Sequence, residues 1–210
     1  MKFNCPSCGA PSQFNSNLSL FFTCPYCRTQ VFKNENQIES MGQVADLPED
    51  MSPLQLFSEG TYGGKSFKVL GRVKLKWDDG YWNEWYLGHS NGTTAWLAEA
   101  QGEWIYSVQI NDIKVPAFRE KDVGSSYSYN GAQFTFADFK QAKSFGFEGE
   151  LPFKAVLGES RESIDLLGNR NPKFLSFETD DSGARAYLGT YVSLKELKIN
   201  NLRKFHGWES

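Results

Sequence analysis

Cys5-Pro-Ser-Cys8 and Cys24-Pro-Tyr-Cys27 hold all four cysteines of this 210-residue chain. Two residues between the members of a pair let the backbone fold back, so that both sulfurs face one ion. The 15 residues between the pairs leave room for a strand, a turn and a second strand. This C-x2-C-x15-C-x2-C spacing reads as a zinc site. Zinc binds four thiolates at roughly 2.3 Å in a tetrahedron, and a catalytic zinc keeps one position open. Four cysteines fill every position, so the metal is expected to be structural. Iron with four thiolates fits the same donors. Two disulfides are the metal-free alternative, which a reducing compartment disfavours. Pro6 and Pro25 restrict φ inside the loops. Gly9 follows Cys8, where such a loop calls for a left-handed residue. Arg28 takes the matching place in the second loop, at about 1–2 kcal/mol if it too is left-handed. Phe3, Phe14, Phe21, Phe22, Val31 and Phe32 make only a thin core, and a unit this small needs a staple. Structural zinc contributes on the order of 10–16 kcal/mol in small peptides. Cys5, Cys8, Cys24 and Cys27 are thus expected to build a zinc ribbon over residues 1–33.

Tryptophan is the second concentration of chemistry. Trp77, Trp82, Trp85, Trp96 and Trp104, five of the six, fall within 28 residues. On a strand, Trp82 and Glu84 share one face and Trp85 takes the other. With Trp96 and Glu99 nearby, an aromatic wall beside carboxylates suits a cation, such as an amine or an arginine side chain. It also suits a protein-binding hot spot. Packing in the core is the competing reading of each tryptophan. Glu84, Glu99, Glu148 and Glu150 would form an acid–base pair if the sheets brought two together. Otherwise they cap turns or bind backbone. His89 and His206 stand in no metal-ligand pair. No nucleophile elbow, dinucleotide-binding glycine motif or phosphate loop is present.

The elements that must position these groups are strands. "SFKVLGRVKLKW" (66–77) alternates, with Phe67, Val69, Val73, Leu75 and Trp77 at odd positions. "WNEWYLGHSNGTTAWLA" (82–98) is two apolar runs around the turn His89-Ser-Asn-Gly92. "EWIYSVQINDIKV" (103–115), "AQFTFADF" (132–139) and "KFLSFETDDSGARAYLG" (173–189) continue in the same manner, the last with an Asp-Asp-Ser-Gly turn. Ser52-Pro53-Leu54-Gln55 and Ser193-Leu-Lys-Glu196 match the capping box and predict one helical turn each. Tyr62-x-Gly64-x-x-Phe67 recurs as Tyr129-x-Gly131-x-x-Phe134. Looser matches pair Glu84-Trp85 with Glu150-Leu151 and "AWLAE" (95–99) with "FLSFE" (174–178). In order, they predict an internal duplication. The expected architecture is mainly β: a ribbon (1–33), then two tandem small β units (59–122 and 123–210). The units are expected as sheets or partly open barrels packed through an apolar face. Between them and the ribbon, residues 34–58 carry five acids and no Lys or Arg, the composition of a solvated linker. Ribbon and β units are expected to fold independently.

Net charge is −3, of which residues 1–33 carry +3 and the remainder −6. With four thiolates on a divalent metal the ribbon falls to about +1. That balance and a pI near 5.5 argue against nucleic acid as the partner. No apolar run approaches the roughly 20 residues of a membrane span. The opening residues have no apolar signal region, so a cytoplasmic protein is expected.

"GTYGGKSFKVLGRVKLKWDDGYWNEWYL" with "AWLAEAQGEW", then "FEGELPF" and "YVSLKELKI", resembles the domain of unknown function DUF4178 over roughly residues 54–200. Gly71-Arg72-Val73, Trp82-Asn-Glu-Trp85, Trp96-Leu-Ala-Glu99 and Glu148-Gly-Glu-Leu-Pro152 carry the resemblance. Members often begin with a Cys-x-x-Cys ribbon, and Arg28 departs from the glycine usual in the second loop. The resemblance implies a bacterial, intracellular, mainly β protein and brings no established activity. Two functional expectations follow. The leading one is a non-enzymatic interaction or adaptor module that binds another protein. The alternative is a binder of a small cationic amine, or an unrecognised enzyme, using Trp82, Glu84, Trp85, Trp96 and Glu99. A concave pocket around these residues would favour the alternative, and a flat aromatic patch the adaptor.

Overall fold

The structure is a computed structural model that describes residues 1–34, 37–48, 50–169 and 173–205. His206 and the acids Glu35 and Glu49 of the linker stretch lie outside the described residues. The N-terminal part contains β1 (Lys2–Asn4), β2 (Pro11–Gln13), β3 (Phe21–Thr23), β4 (Thr29–Asn34) and β5 (Gln37–Gln43). Five strands follow: β6 (Glu59–Tyr62), β7 (Lys65–Trp77), β8 (Gly80–His89), β9 (Thr94–Ala100) and β10 (Glu103–Ile110). The next five are β11 (Ser126–Tyr129), β12 (Ala132–Leu151), β13 (Ser160–Gly168), β14 (Lys173–Asp180) and β15 (Gly183–Val192). One helical turn, α1 (Leu194–Leu197), follows β15. Among the described residues no helix is long and apolar enough to cross a membrane.

The two sets of five strands have the same plan. β6 folds onto β7 at Tyr62↔Lys65, and β11 onto β12 at Tyr129↔Ala132. The Tyr-x-Gly-x-x-Phe repeat therefore marks equivalent hairpins. Each set then runs as a meander of four antiparallel strands. The looser matches do not survive. Glu84-Trp85 is on β8, whereas Glu150-Leu151 ends β12. "AWLAE" and "FLSFE" lie on equivalent strands but present opposite faces, since Trp96 and Ala98 turn to the same interior as Phe174, Ser176 and Glu178.

The two meanders do not stack face to face as expected. They join by their edges: β7 pairs antiparallel with β12, and β10 with β15. The order β7-β8-β9-β10-β15-β14-β13-β12 returns to β7 and closes a ring of eight antiparallel strands. An open meander leaves two unpaired edges; here each edge is satisfied by its equivalent in the other half. A ring of this size is just wide enough to be filled by side chains or to hold one small ligand.

Closure depends on two local features of β7. A bulge between Val69 and Gly71 shifts the register against β8. It moves the odd-numbered residues from one face to the other. Phe67 and Val69 pack outside with Trp85, Leu87 and Leu97, whereas Val73 and Leu75 pack inside with Tyr86, Trp96 and Phe147. Gly71 then meets Gly149 of β12 directly. A Cβ on Gly71 would lie 1.8 Å from the Glu150 carbonyl oxygen, so only glycine allows this approach.

The ribbon is built into the same sheet. β3 pairs with the end of β12, Gly149↔Thr23 to Leu151↔Phe21, and Phe21 is fully buried in the inner cluster. Glu150 is 1% exposed. Its carboxylate accepts hydrogen bonds from the Asn15 backbone (2.8 Å), the Asn15 side chain (2.6 Å) and the Ser16 backbone (3.2 Å). The stretch 34–58, expected as a solvated linker, is in its described residues largely bound to the rest. β5 extends the sheet beside β4, and Leu54 is fully buried. Asp50 pairs with Arg72 (2.9 Å) and Lys74 (2.8 Å), both nearly buried. Burial works against the Asp50 carboxylate, but Lys74 and Arg72 outweigh it and hold its pKa below the usual range. An acidic stretch without basic residues is free of internal partners, so it is available to neutralise cations elsewhere in the fold. The helical turn expected at Ser52–Gln55 is absent; Ser52 Oγ instead accepts from the Leu54 N–H. The second capping box holds: Ser193 Oγ accepts from Glu196 N–H and Glu196 Oε2 from Ser193 N–H.

Candidate functional site

The four cysteines converge. Their Sγ atoms all lie within 4.8 Å of one another, with Cys5–Cys27 at 3.6 Å and Cys8–Cys24 at 3.9 Å. A tetrahedron with bonds of roughly 2.3 Å has edges of about 3.8 Å, so the donor set is spaced to hold one metal ion. The two loops are copies: Gly9 N–H donates to Cys5 O, and Arg28 N–H to Cys24 O. Both residues have positive φ, 75° and 60°. Arg28 thus adopts the strained conformation its position demands. Its side chain pairs with Asp46 at 3.0 Å and donates to Ala45 O at 3.4 Å. Arginine here fastens the second cysteine loop to the following segment, which glycine could not do. The Thr29 side chain and backbone bond Cys27 and pull its thiol down to about 6, towards the thiolate a metal needs. Burial pushes Cys24 the other way, and Cys8, against a lowering Ala10 backbone hydrogen bond, is pushed up to about 12 by Cys27 and its other neighbours, so the metal-free cluster shares its protons unevenly.

Inside the strand ring lies a cavity of about 130 Å³. Trp77, Trp82, Trp96, Phe174 and Tyr187 form its aromatic wall, and Glu84, Lys140, Asp165 and Glu178 bring charge to it. Trp77 and Trp82 pack with centroids 5.3 Å apart, and Lys140 Nζ stands 5.7 Å from the Trp77 ring. Trp77, Trp82 and Lys140 are half-buried and form the outer end, whereas Glu84, Ser107, Ser176, Glu178 and Tyr187 are buried. Glu84 Oε1 accepts from the Trp82 indole N–H at 2.9 Å, and Glu84 Oε2 from Arg161 at 2.8 Å. Arg161 also pairs with Glu178 at 3.0 Å. Asp165 Oδ1 accepts from the hydroxyls of Ser176 (2.8 Å) and Ser163 (3.1 Å). Burial raises the Asp165 carboxyl against these two hydrogen bonds.

The residues singled out in the sequence divide between two faces of the sheet. Trp82, Glu84 and Trp96 face the cavity together. Trp85 and Glu99 lie on the outer face: Glu99 Oε2 accepts from Trp85 Nε1–H and from Asn83 Nδ2–H, each at 3.0 Å. The cation over Trp85 comes from the protein itself, Arg72 at 4.8 Å. Trp85 is fully buried. Hence Trp85 and Glu99 are not part of one surface with Glu84. Glu148 is occupied by Arg72 and Glu150 by the ribbon. His89 is buried between Ser66 O and Tyr106 Oη, 2.9 Å from each.

Arg161, Asp165 and Glu178 were not singled out. Their signal was in the alternation of "SRESIDLLG" and "FLSFETD". Arg161, Ser163 and Asp165 interleave with Ile164 and Leu166, and Ser176 and Glu178 with Leu175 and Phe177. On a strand flanked by apolar positions, such a polar row looks solvated. Ring closure turns it inward.

The family model of a domain of unknown function, DUF4178, matches residues 56–194. No curated protein and no solved structure matches the chain.

Proposed function

The chain belongs to the DUF4178 family, which brings no activity with it, and from the geometry we propose that it is a non-catalytic binding protein whose strand ring takes a small organic cation. The observation that carries this reading is the cavity itself: an aromatic wall of three tryptophans, a phenylalanine and a tyrosine enclosing three carboxyls. A cation over an indole gains roughly 0.5–2 kcal/mol, more when desolvated. A hollow near 130 Å³ admits a molecule about the size of benzene. Calorimetric titration with small alkylammonium ions tests the reading. Trp82→Ala is expected to weaken binding about 2–30-fold. Trp85→Ala is expected to destabilise by about 3–5 kcal/mol, because it removes a core side chain. If Trp82→Ala binds like the wild type, the cavity is only packing. Adaptor function is the second reading. It is favoured by Tyr26 (72% exposed) and Phe57 (49% exposed), which line one open cleft between ribbon and ring.

For the cysteine cluster we infer a structural zinc ion. The four thiolates leave no open position for catalysis. Elemental analysis is expected to find about one zinc per chain. Iron in its place, or no metal together with two disulfides by mass spectrometry, would refute this assignment.

A further inference from the structure

Glu84 on β8 and Glu178 on β14 reach the same nitrogen of one guanidinium. Arg161 Nη1 lies 2.8 Å from Glu84 Oε2 and 3.0 Å from Glu178 Oε2. One positive charge therefore serves two carboxyls held close together, and two like charges at such a site do not both ionise freely. Glu84 has a second donor, the Trp82 indole N–H. Glu178 has no such second donor among the described residues: Arg185, opposite it on β15, favours its ionised form but is bonded to Asp180, so Glu178 is the member of the pair left short. The remaining groups that face it do not repair the deficit. Asp165 on β13 adds another acid. On β15, Arg185 is engaged with Asp180, and Tyr187 brings a neutral hydroxyl. On β12, Lys140 is engaged with Asp138. The three acids at the cavity (Glu84, Asp165, Glu178) thus have one cation not shared with an acid outside it, Arg161, since Lys140 and Arg185 are each paired with an aspartate of their own.

We propose that Glu178 holds a proton in the free protein and releases it when an organic cation enters the cavity, so that the site exchanges one proton for one ligand charge. The idea rests on the reading of the cavity as a cation site. In the exchange the carboxyl O–H bond breaks, its electron pair stays on the Glu178 oxygen, the proton passes to solvent, and the ligand is unchanged. Burial pushes the Glu178 carboxyl up to about 8, with Arg161 opposing and Glu84 adding to the rise. The sign of the linkage follows. Between the ordinary value of 4.5 and about 8 the folded protein keeps a proton that the unfolded chain has lost. Stability therefore falls as pH rises through that window, and cation affinity rises.

Tetramethylammonium is a suitable probe, because its charge is permanent and any pH dependence belongs to the protein. Calorimetry is expected to show affinity roughly a hundredfold weaker at pH 6 than at pH 9, changing about tenfold per unit below pH 8. Titrations at pH 7 in two buffers of different ionisation enthalpy should show about one proton released per ion bound. Equal affinity at pH 6 and pH 9 overturns the exchange and leaves the cation site standing. No binding at pH 9 overturns the cation site itself. Glu178→Gln should bind weakly and without pH dependence; a retained dependence assigns the proton elsewhere. Should that variant fail to fold, infrared difference spectra of the wild type at pH 7 decide. The protonated-carboxyl band should vanish on adding tetramethylammonium, and an unchanged band refutes the proposal.

Discussion

Cys24→Ser, or chelation of the metal, is expected to unfold the ribbon and to lower the melting temperature of the strand ring in the same transition. Binding energy at a four-thiolate site is folding energy, on the order of 10–16 kcal/mol in isolated peptides. Considered as a sequence, the ribbon looks detachable, and its loss should leave the remainder intact. The structure removes that independence. Phe21 of β3 packs among Leu75, Tyr86 and Phe147 inside the ring, and emptying such a position costs about 3–5 kcal/mol. Glu150 spends both carboxylate oxygens on Asn15 and Ser16. Arg28 ties the second cysteine loop to Asp46. Differential scanning calorimetry with and without chelator checks the point. Two separate transitions, the upper one unmoved by chelator, would show that the ring stands alone.

Gly71→Ala should be as damaging, although it adds one methyl group. Its Cβ would stand 1.8 Å from the Glu150 carbonyl oxygen. That neighbour is backbone and cannot rotate away. Relief requires β7 and β12 to part, which opens the ring and loosens the strand to which the ribbon is attached. Facing Gly71, Gly149 has φ +65°, and a Cβ there would lie 2.2 Å from Leu70 O, so neither side can yield. A loss of about 4 kcal/mol or more is expected, which lowers the melting temperature by on the order of 10 °C. Gly80→Ala serves as the control, since its nearest contact is the movable Trp77 ring at 3.2 Å. A Gly71→Ala protein that melts within two degrees or so of the parent would exclude this account of the seam.

The convergence of the four cysteines was legible because its information is local: their spacing and the left-handed loop positions both lie within a few residues. Strands, turns and the duplicated hairpin were legible for the same reason. Which strands pair across the two units was not, because alternation names a strand's faces and says nothing about its neighbour. The bulge at Leu70–Gly71 hid a second fact. Phe67, Val69, Val73 and Leu75 share parity, yet one inserted residue sends the first two outward and the last two inward. The division of Glu84 from Glu99 hung on the length of one turn, since a loop His89–Gly92 would set Gly88 opposite Thr93 and Glu99 opposite Trp82, on the face of Glu84. The hairpin around Ser90–Thr93 pairs Gly88 with Thr94, and counting back from there pairs Glu84 with Ala98. Glu99 then falls opposite Asn83, on the other face. The ionic partners Arg161 and Glu178 required the closed ring, because a polar row on a strand reads as solvated until something covers it.

The ring is closed by equivalent strands meeting each other at both seams, β7 with β12 and β10 with β15. That is the arrangement two identical five-stranded chains adopt about a twofold axis, where one patch binds its own copy. Joined in one chain, the copies no longer have to match, and here they have specialised. Trp77, Trp82 and Trp96, the indoles of the cavity, all come from the first half. Arg161, Asp165 and Glu178, most of its ionic machinery, come from the second. β12 has lengthened to 20 residues and receives the ribbon, whereas its counterpart β7 has 13. A symmetric pair would have to place the same groups on both walls. A fused pair can change its aromatic wall and its charged wall separately, so the shape of the cavity and its charge need not vary together.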